Sequence, residues 1–170
     1  MGTSHRVWNV AHRGASAERA ENTLPAFELA IVQRADVVAW DVRASADGAL
    51  LLLHDATVDR TTSGTGELRA MTAAQARELD AGEGQRIPEL GDVLALAAGR
   101  VRVNVDLKEA DIVDDALAAV RAAGAERGVT FIGPPSEAIV EMGDKVSSRL
   151  AAIRGGVACV PGTTEFVTDA

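Results

Sequence analysis

The sequence is poor in aromatic and sulfur chemistry. Its 170 residues hold one cysteine, no tyrosine and only 3% aromatic residues. A single cysteine, Cys159, has no internal disulfide partner, and no Cys-x-x-Cys or His/Cys spacing points to zinc. Set in the apolar run VACV, Cys159 reads as a small buried hydrophobe. With so few aromatic rings, the core must come from Val, Leu, Ile and Ala. No apolar stretch has the length of a membrane span, and the longest aliphatic run, Leu50 to Leu53, is strand-sized. The N-terminal MGTSHRVWNV carries no long apolar segment, so no secretory signal is visible and the cytoplasm is the expected location. Basic residues are outnumbered, giving a net charge of −8 and a pI near 4.9. That argues against a non-specific nucleic-acid binder and against adsorption to anionic membranes. It leaves phosphate esters open, because a local Arg/Lys cluster or a bound cation sets the field at a site.

What is present is 47% hydrophobic and 25% charged residues, the balance of an ordinary globular chain. The length suits one domain, or one domain plus a fragment. Strand-like and helix-like segments alternate, which predicts a parallel α/β architecture. Strands are expected over 7–12, 36–42, 50–54 and 101–108. A helix is expected over 23–34, with Thr23 as N-cap and Pro25 just inside. Further helices are expected from Thr72 to about Leu79, from Pro88 to Ala98, and from about Asp111 to Ala123. Residues 55–66, rich in Thr and Gly, read as a loop. Beyond them VTFIG (129–133) is strand-like, with helical stretches near 135–143 and 145–154.

Two strands carry polar residues in a row on one face. In VRVNVDLK, a period of two sets Asn104, Asp106 and Lys108 opposite Val103, Val105 and Leu107. In DVVAWDV, Asp41 shares a face with Ala39 and Val37, and Trp40 faces away as outer core against a helix. An acid and a base aligned on a parallel strand point into a barrel mouth or crevice. A solvated antiparallel edge would show the same alternation.

The stretches that carry chemistry are AHRGASAERAENTLPAF (11–27), WDVRASADG (40–48), HDATVDRTTSGTG (54–66), IPEL (87–90) and VNVDLK (103–108). In this order and spacing they resemble the glycerophosphodiester phosphodiesterase family, which has a TIM-barrel fold. A phosphodiester is anionic and resists nucleophiles, so its hydrolysis needs a cation and a proton donor for the leaving alkoxide. Histidine suits proton transfer because its pKa lies near working pH. The resemblance casts His12 and His54 as general acid and base. It makes Arg13 and Lys108 phosphate partners, and Glu21 part of the substrate pocket. It also implies a divalent cation, calcium or magnesium, held by strand carboxylates, and products that are an alcohol and glycerol 3-phosphate. The blander reading of His12 and His54 is as strand-end core histidines; Arg60 reads as a loop ion pair.

The match departs from the family at the metal. Relatives carry Glu-x-Asp where this chain has Ala39-Trp40-Asp41, so Ala39 removes one ligand. They carry Glu-x-Lys where this chain has Asp106-Leu107-Lys108, and Asp106 retracts its carboxylate by about 1.5 Å. That distance matters against calcium–oxygen distances of roughly 2.3–2.6 Å. Asp41 is the one unaltered ligand, and metal binding is expected to be weakened. A complete barrel takes about 250 residues, and from Gly128 onward the chain instead resembles a fragment of the biotin carboxylase of biotin-dependent carboxylases. There Lys145 matches a nucleotide-contacting lysine.

The expected organisation is a partial phosphodiesterase-like barrel over 1–127 and a carboxylase-like fragment over 128–170. The expected fold is α/β, an incomplete TIM-barrel-like parallel βα array with a short βα tail. Its open edge invites oligomerisation. The function implied is metal-dependent hydrolysis of a small glycerophosphodiester, weakened or lost. Two alternatives stand beside it: a non-catalytic phosphate-ester binder, and a carboxylase-related fragment.

Overall fold

The structure, a computed structural model, describes residues 7–123, which all fall within one compact unit. The expected strand VTFIG, the tail helices, Cys159 and Lys145 lie outside the described residues. Four strands and four helices follow one another as β1 (Val10–His12), α1 (Leu24–Val32), β2 (Val37–Ala44), β3 (Leu50–Leu52), α2 (Ala73–Arg77), α3 (Leu90–Ala97), β4 (Arg102–Leu107) and α4 (Val113–Ala122). Short 3₁₀ turns at Leu68–Ala70 and Ala110–Ile112 precede α2 and α4.

The centre of the sheet is β2, paired in parallel with β1 and with β4. This is the parallel βα array that the alternation of elements predicts. β3 departs from it by pairing antiparallel to β2. The reason is local: residues 45–49 connect the two strands, too short a link for a parallel crossover. The turn closes with Ser45 N–H donating to Ala49 O at 3.0 Å, and with Gly48 at φ +80°.

The register places β1 and β3 on the same edge of β2. Val37, Val38 and Ala39 pair with both β1 and β4, and Val42 pairs with both β4 and β3. A strand has two edges, so β4 holds one, while β1 and β3 share the other end to end. β1 ascends to His12 beside Ala39, and β3 descends past Leu52 beside Val42. The gap between them lies alongside Trp40 and Asp41. Among the described residues β1 and β4 pair with no further strand, and the sheet is open.

Packing follows the predicted faces, although both faces of β2 are buried. Val38, Trp40 and Val42 join Phe27 and Ala30 of α1, Val93 and Leu94 of α3, and Ala116 and Val120 of α4 in one core. Trp40 is buried edge-on against Phe27, with centroids 5.5 Å apart at 64°. A second cluster of Leu51, Leu53, Val58, Leu68, Ala76 and Ile87 lies under the loops that follow β3.

Helix starts differ in detail from expectation. Thr23 occupies the N-cap position of α1, but its hydroxyl donates back to Ala20 O at 2.6 Å and caps nothing. Thr72 and Gln75 form a reciprocal capping box on α2. α3 is capped by Glu89 with Asp92, one residue after the proline expected to open it. Gly14 is required where the loop after β1 touches α1. At φ +80°, a Cβ there would lie 2.7 Å from the Ala26 carbonyl carbon. No helix among the described residues is long and apolar enough to cross a membrane.

Candidate active site

The predicted site residues lie at the end of β1 and in the loop after it (His12, Arg13, Glu21), midway along β2 (Ala39, Asp41), at the end of β4 (Asp106, Lys108) and just beyond β3 (His54). At the centre is Asp41, with 1% of its surface exposed. A buried carboxylate must be paired and hydrogen-bonded, and Asp41 is. Lys108 Nζ lies 2.8 Å from Oδ1, Asn22 Nδ2 donates to Oδ2 at 3.0 Å, and Arg13 Nε lies 3.1 Å from Oδ2. The Arg13 contact is electrostatic, since its Nε–H is not aligned to donate. Burial pushes the Asp41 pKa up, but Asn22, Lys108 and Arg13 together outweigh it and hold it below the usual carboxylate range.

Asn22 is a site residue that sequence reasoning passed over. It is 4% exposed, and its side-chain oxygen also accepts from the Asp41 backbone N–H at 3.3 Å. Both Asn22 (φ 55°) and Arg13 (φ 60°) adopt the left-handed conformation, and Asn22 N–H donates to Arg13 O at 3.1 Å. The signal available was an asparagine in a polar turn, the side chain that best tolerates this region.

From Asp41 the ionic network runs in two directions. Lys108 Nζ also contacts Asp106 Oδ2 at 2.5 Å. Burial works to lower the Lys108 pKa, and Asp106 and Asp41 overcome it to raise it. On the other side Arg13 donates to Glu21 Oε1 at 3.0 Å, and Arg60 reaches the same carboxylate at 2.8 and 3.1 Å. Arg60, then, is the loop ion pair the sequence suggests, and it is the main reason the Glu21 pKa is lowered. Arg60 Nε also donates to Asp55 Oδ2 at 2.5 Å, and Asp55 Oδ1 lies 2.6 Å from His54 Nδ1. Arg60 first, and His54 second, hold the Asp55 pKa down to about 2.

A second network fixes the main chain at His54. Arg43 Nε donates to His54 O at 2.8 Å, and its Nη1 donates to Glu109 at 3.0 Å. Glu109 also accepts from the Ala44 N–H and from Arg69. Arg43 and Glu109 had no place in the predicted site, because nothing local in sequence joins residues 66 positions apart. His12 is exposed at the end of β1, and among the described residues no side chain holds its ring. The hydroxyl of Ser16 donates to its backbone oxygen at 3.0 Å.

The divalent cation implied by the family resemblance is not matched by this donor set. Ala39 is buried and offers no oxygen. Asp41 is already surrounded by Lys108, Arg13 and Asn22, Asp106 shares the same ammonium, and Glu21 is held by two arginines. Among the described residues no three His, Cys, Asp or Glu side chains converge as a metal-binding group.

A parallel βα sheet with its polar and titratable residues at the strand C-termini is the layout of an α/β-barrel enzyme. The family model for the Glycerophosphoryl diester phosphodiesterase family matches residues 12–130. This chain belongs to that family. The chain is 40% identical over 107 residues to a glycerophosphodiester phosphodiesterase of Caldanaerobacter subterraneus, covering 58% of this chain and 44% of that one. A crystal structure of glycerophosphodiester phosphodiesterase from Agrobacterium tumefaciens superposes with a TM-score of 0.67 at 39% identity, over 73% of this chain and 56% of that one. An Oleispira antarctica phosphodiesterase, solved in complex with the product sn-glycerol-3-phosphate, gives 0.62 at 29% identity, over 74% and 54%. The chain spans less than half the length of the curated relatives it matches. The family match ends at residue 130, and nothing in it bears on a carboxylase-like tail.

Proposed function

We propose that this chain binds glycerophosphodiesters at the C-terminal ends of β1, β2 and β4 and hydrolyses them slowly to an alcohol and glycerol 3-phosphate. What supports this reading most is the register on one edge of β2, where β1 ends at His12 beside Ala39 and β3, which precedes His54, ends at Leu52 beside Val42. Arg13 and Lys108, which grip Asp41 from either side, are the cations assigned to the phosphate. Glu21 holds Arg13 in place. In the reaction a P–O bond to water oxygen forms and the P–O bond to the alcohol breaks. One histidine takes the proton from water, and the other donates a proton to the departing alkoxide.

The reaction is expected to be slow for an electrostatic reason. Arg13, Arg60 and Lys108 face Glu21, Asp41, Asp55 and Asp106, so carboxylates outnumber cations by one. An anionic diester therefore meets no surplus of positive charge, and charge developing on the phosphate lacks its usual stabiliser. Ala39, which offers no oxygen to a cation, favours a second reading: retention of a phosphate ester by Arg13 and Lys108 without turnover.

Release of glycerol 3-phosphate from glycerophosphocholine, measured on the full chain with calcium and with chelator, tests both. His12→Ala and His54→Ala should each lower the rate by about 10²–10⁴-fold. Variants that both keep the wild-type rate would end the proposal. Saturable glycerol 3-phosphate binding without turnover would support the second reading.

A further inference from the structure

We propose that Asp55 is a positioning residue for His54, fixing the ring proton on Nδ1 so that Nε2 is the nitrogen that exchanges a proton with substrate. The inference rests on the reading of His54 as a proton-transfer group and adds to it the residue that sets its tautomer.

The geometry leaves one consistent arrangement. Asp55 Oδ1 lies 2.6 Å from His54 Nδ1, a distance at which one atom must carry a hydrogen. Asp55 is ionised across the neutral range: an ordinary aspartate titrates at about 4, and Arg60 Nε, donating to its other oxygen at 2.5 Å, lowers that further. An ionised carboxylate can only accept. The hydrogen therefore belongs to Nδ1, and in the neutral ring Nε2 keeps its lone pair. The ring's second degree of freedom, its placement in space, is held from the main chain, where Arg43 Nε takes the His54 carbonyl at 2.8 Å. Arg43 is in turn held by Glu109. Side chain and backbone of His54 are thus tied to different ion pairs, one on the loop after β3 and one on the turn after β4.

A purely structural role for Asp55 is the rival explanation, since its pair with Arg60 ties the loop after β3 to Glu21 on the loop after β1. The two roles separate by substitution. Arg60→Gln breaks the tie between loops but leaves Asp55 ionised beside His54. Asp55→Asn keeps the shape but supplies an amide that can donate as well as accept, so the tautomer is no longer dictated.

The test is ¹⁵N NMR of the His54 imidazole in the full chain at about pH 8, above the ordinary histidine range. Wild type and Arg60→Gln should both show protonated Nδ1 and bare Nε2, whereas Asp55→Asn should show both tautomers. A wild-type proton on Nε2, or an unchanged pattern in Asp55→Asn, overturns the proposal. Where turnover is measurable, Asp55→Asn should lower kcat by about 10–100-fold, the range for residues that orient a functional histidine, with KM little changed. An altered tautomer with unchanged kcat would also overturn it. Should wild type show no turnover at all, the phosphodiesterase reading fails, while the imidazole spectrum still decides the role of Asp55.

Discussion

Asp41 and Asp106 are register partners across β2 and β4, two carboxylates opposite one another, and the ammonium of Lys108 bridges them at 2.8 and 2.5 Å. Like charges directly opposite on a sheet are destabilising, so Lys108 has a structural duty apart from any ligand. Asp41 is buried, whereas the Asp106 side chain is 52% exposed. The cost of losing Lys108 therefore falls mainly on Asp41.

Lys108→Met should accordingly destabilise the fold by about 1–3 kcal/mol. That is less than the 3–5 of a fully broken buried pair, because Arg13 and Asn22 remain on Asp41. Adding Asp106→Asn to Lys108→Met removes the facing charge and should recover part of the loss. Urea unfolding of the two single variants and the double variant measures the coupling. A Lys108→Met protein as stable as wild type would show that the bridge contributes nothing.

The carboxylates of the site also fix the response to acid. Asp41, Glu21 and Asp55 all have folded pKa values below their ordinary ones, Asp55 at about 2. A depressed pKa contributes stability above the unfolded value, near 4, which is lost as pH falls through the folded value. The urea midpoint should hold steady from neutral pH to about 5 and then decline through about pH 4 to 2. Asp55→Asn should flatten part of that decline. A midpoint that falls instead between pH 7 and 5 would mean that other groups control acid unfolding.

Much of this arrangement is legible in sequence, and the limits have a physical pattern. Trp40 and Asp41 are neighbours whose opposite faces follow from strand periodicity alone, and the structure puts Trp40 against Phe27 and Asp41 among cations. The alternation in β4 likewise places Val103 in the core and leaves Asp106 outside it. The antiparallel course of β3 was missed because its aliphatic run carries no direction; only the shortness of the turn before it does. The ties of Asn22 to Asp41, of Arg60 to Glu21 and of Arg43 to Glu109 were beyond reach. Each is made by side chains 19 to 66 positions apart, whose meeting depends on loop paths and strand register rather than on local pattern.

Position 39 offers the most direct way to separate a weakened cation site from an absent one. It lies two residues before Asp41 on the same face of β2, with His12 and Asn104 as its neighbours across the sheet. A glutamate there adds an anionic oxygen donor where the chain has none. At position 106 the change to glutamate only lengthens a side chain that already presents a carboxylate. The number of charged ligands tunes calcium affinity, so Ala39→Glu should tighten calcium binding by about tenfold or more, and Asp106→Glu by less. The added carboxylate also competes for Lys108 and Arg13, loosening the pairs that now cover Asp41 and freeing its oxygens for the ion. Ala39 is only 3% exposed, so the longer side chain must reach toward the open strand ends rather than into the core. A thermal melt of the apo variant reports whether it does so without disrupting the sheet. Calorimetry with calcium on wild type and both single variants measures the affinities, and glycerol 3-phosphate release with and without chelator follows the chemistry. Both affinity and calcium-dependent turnover should rise in Ala39→Glu. High wild-type turnover that resists chelator and ignores the substitution would mean that residue 39 does not face the reacting phosphate.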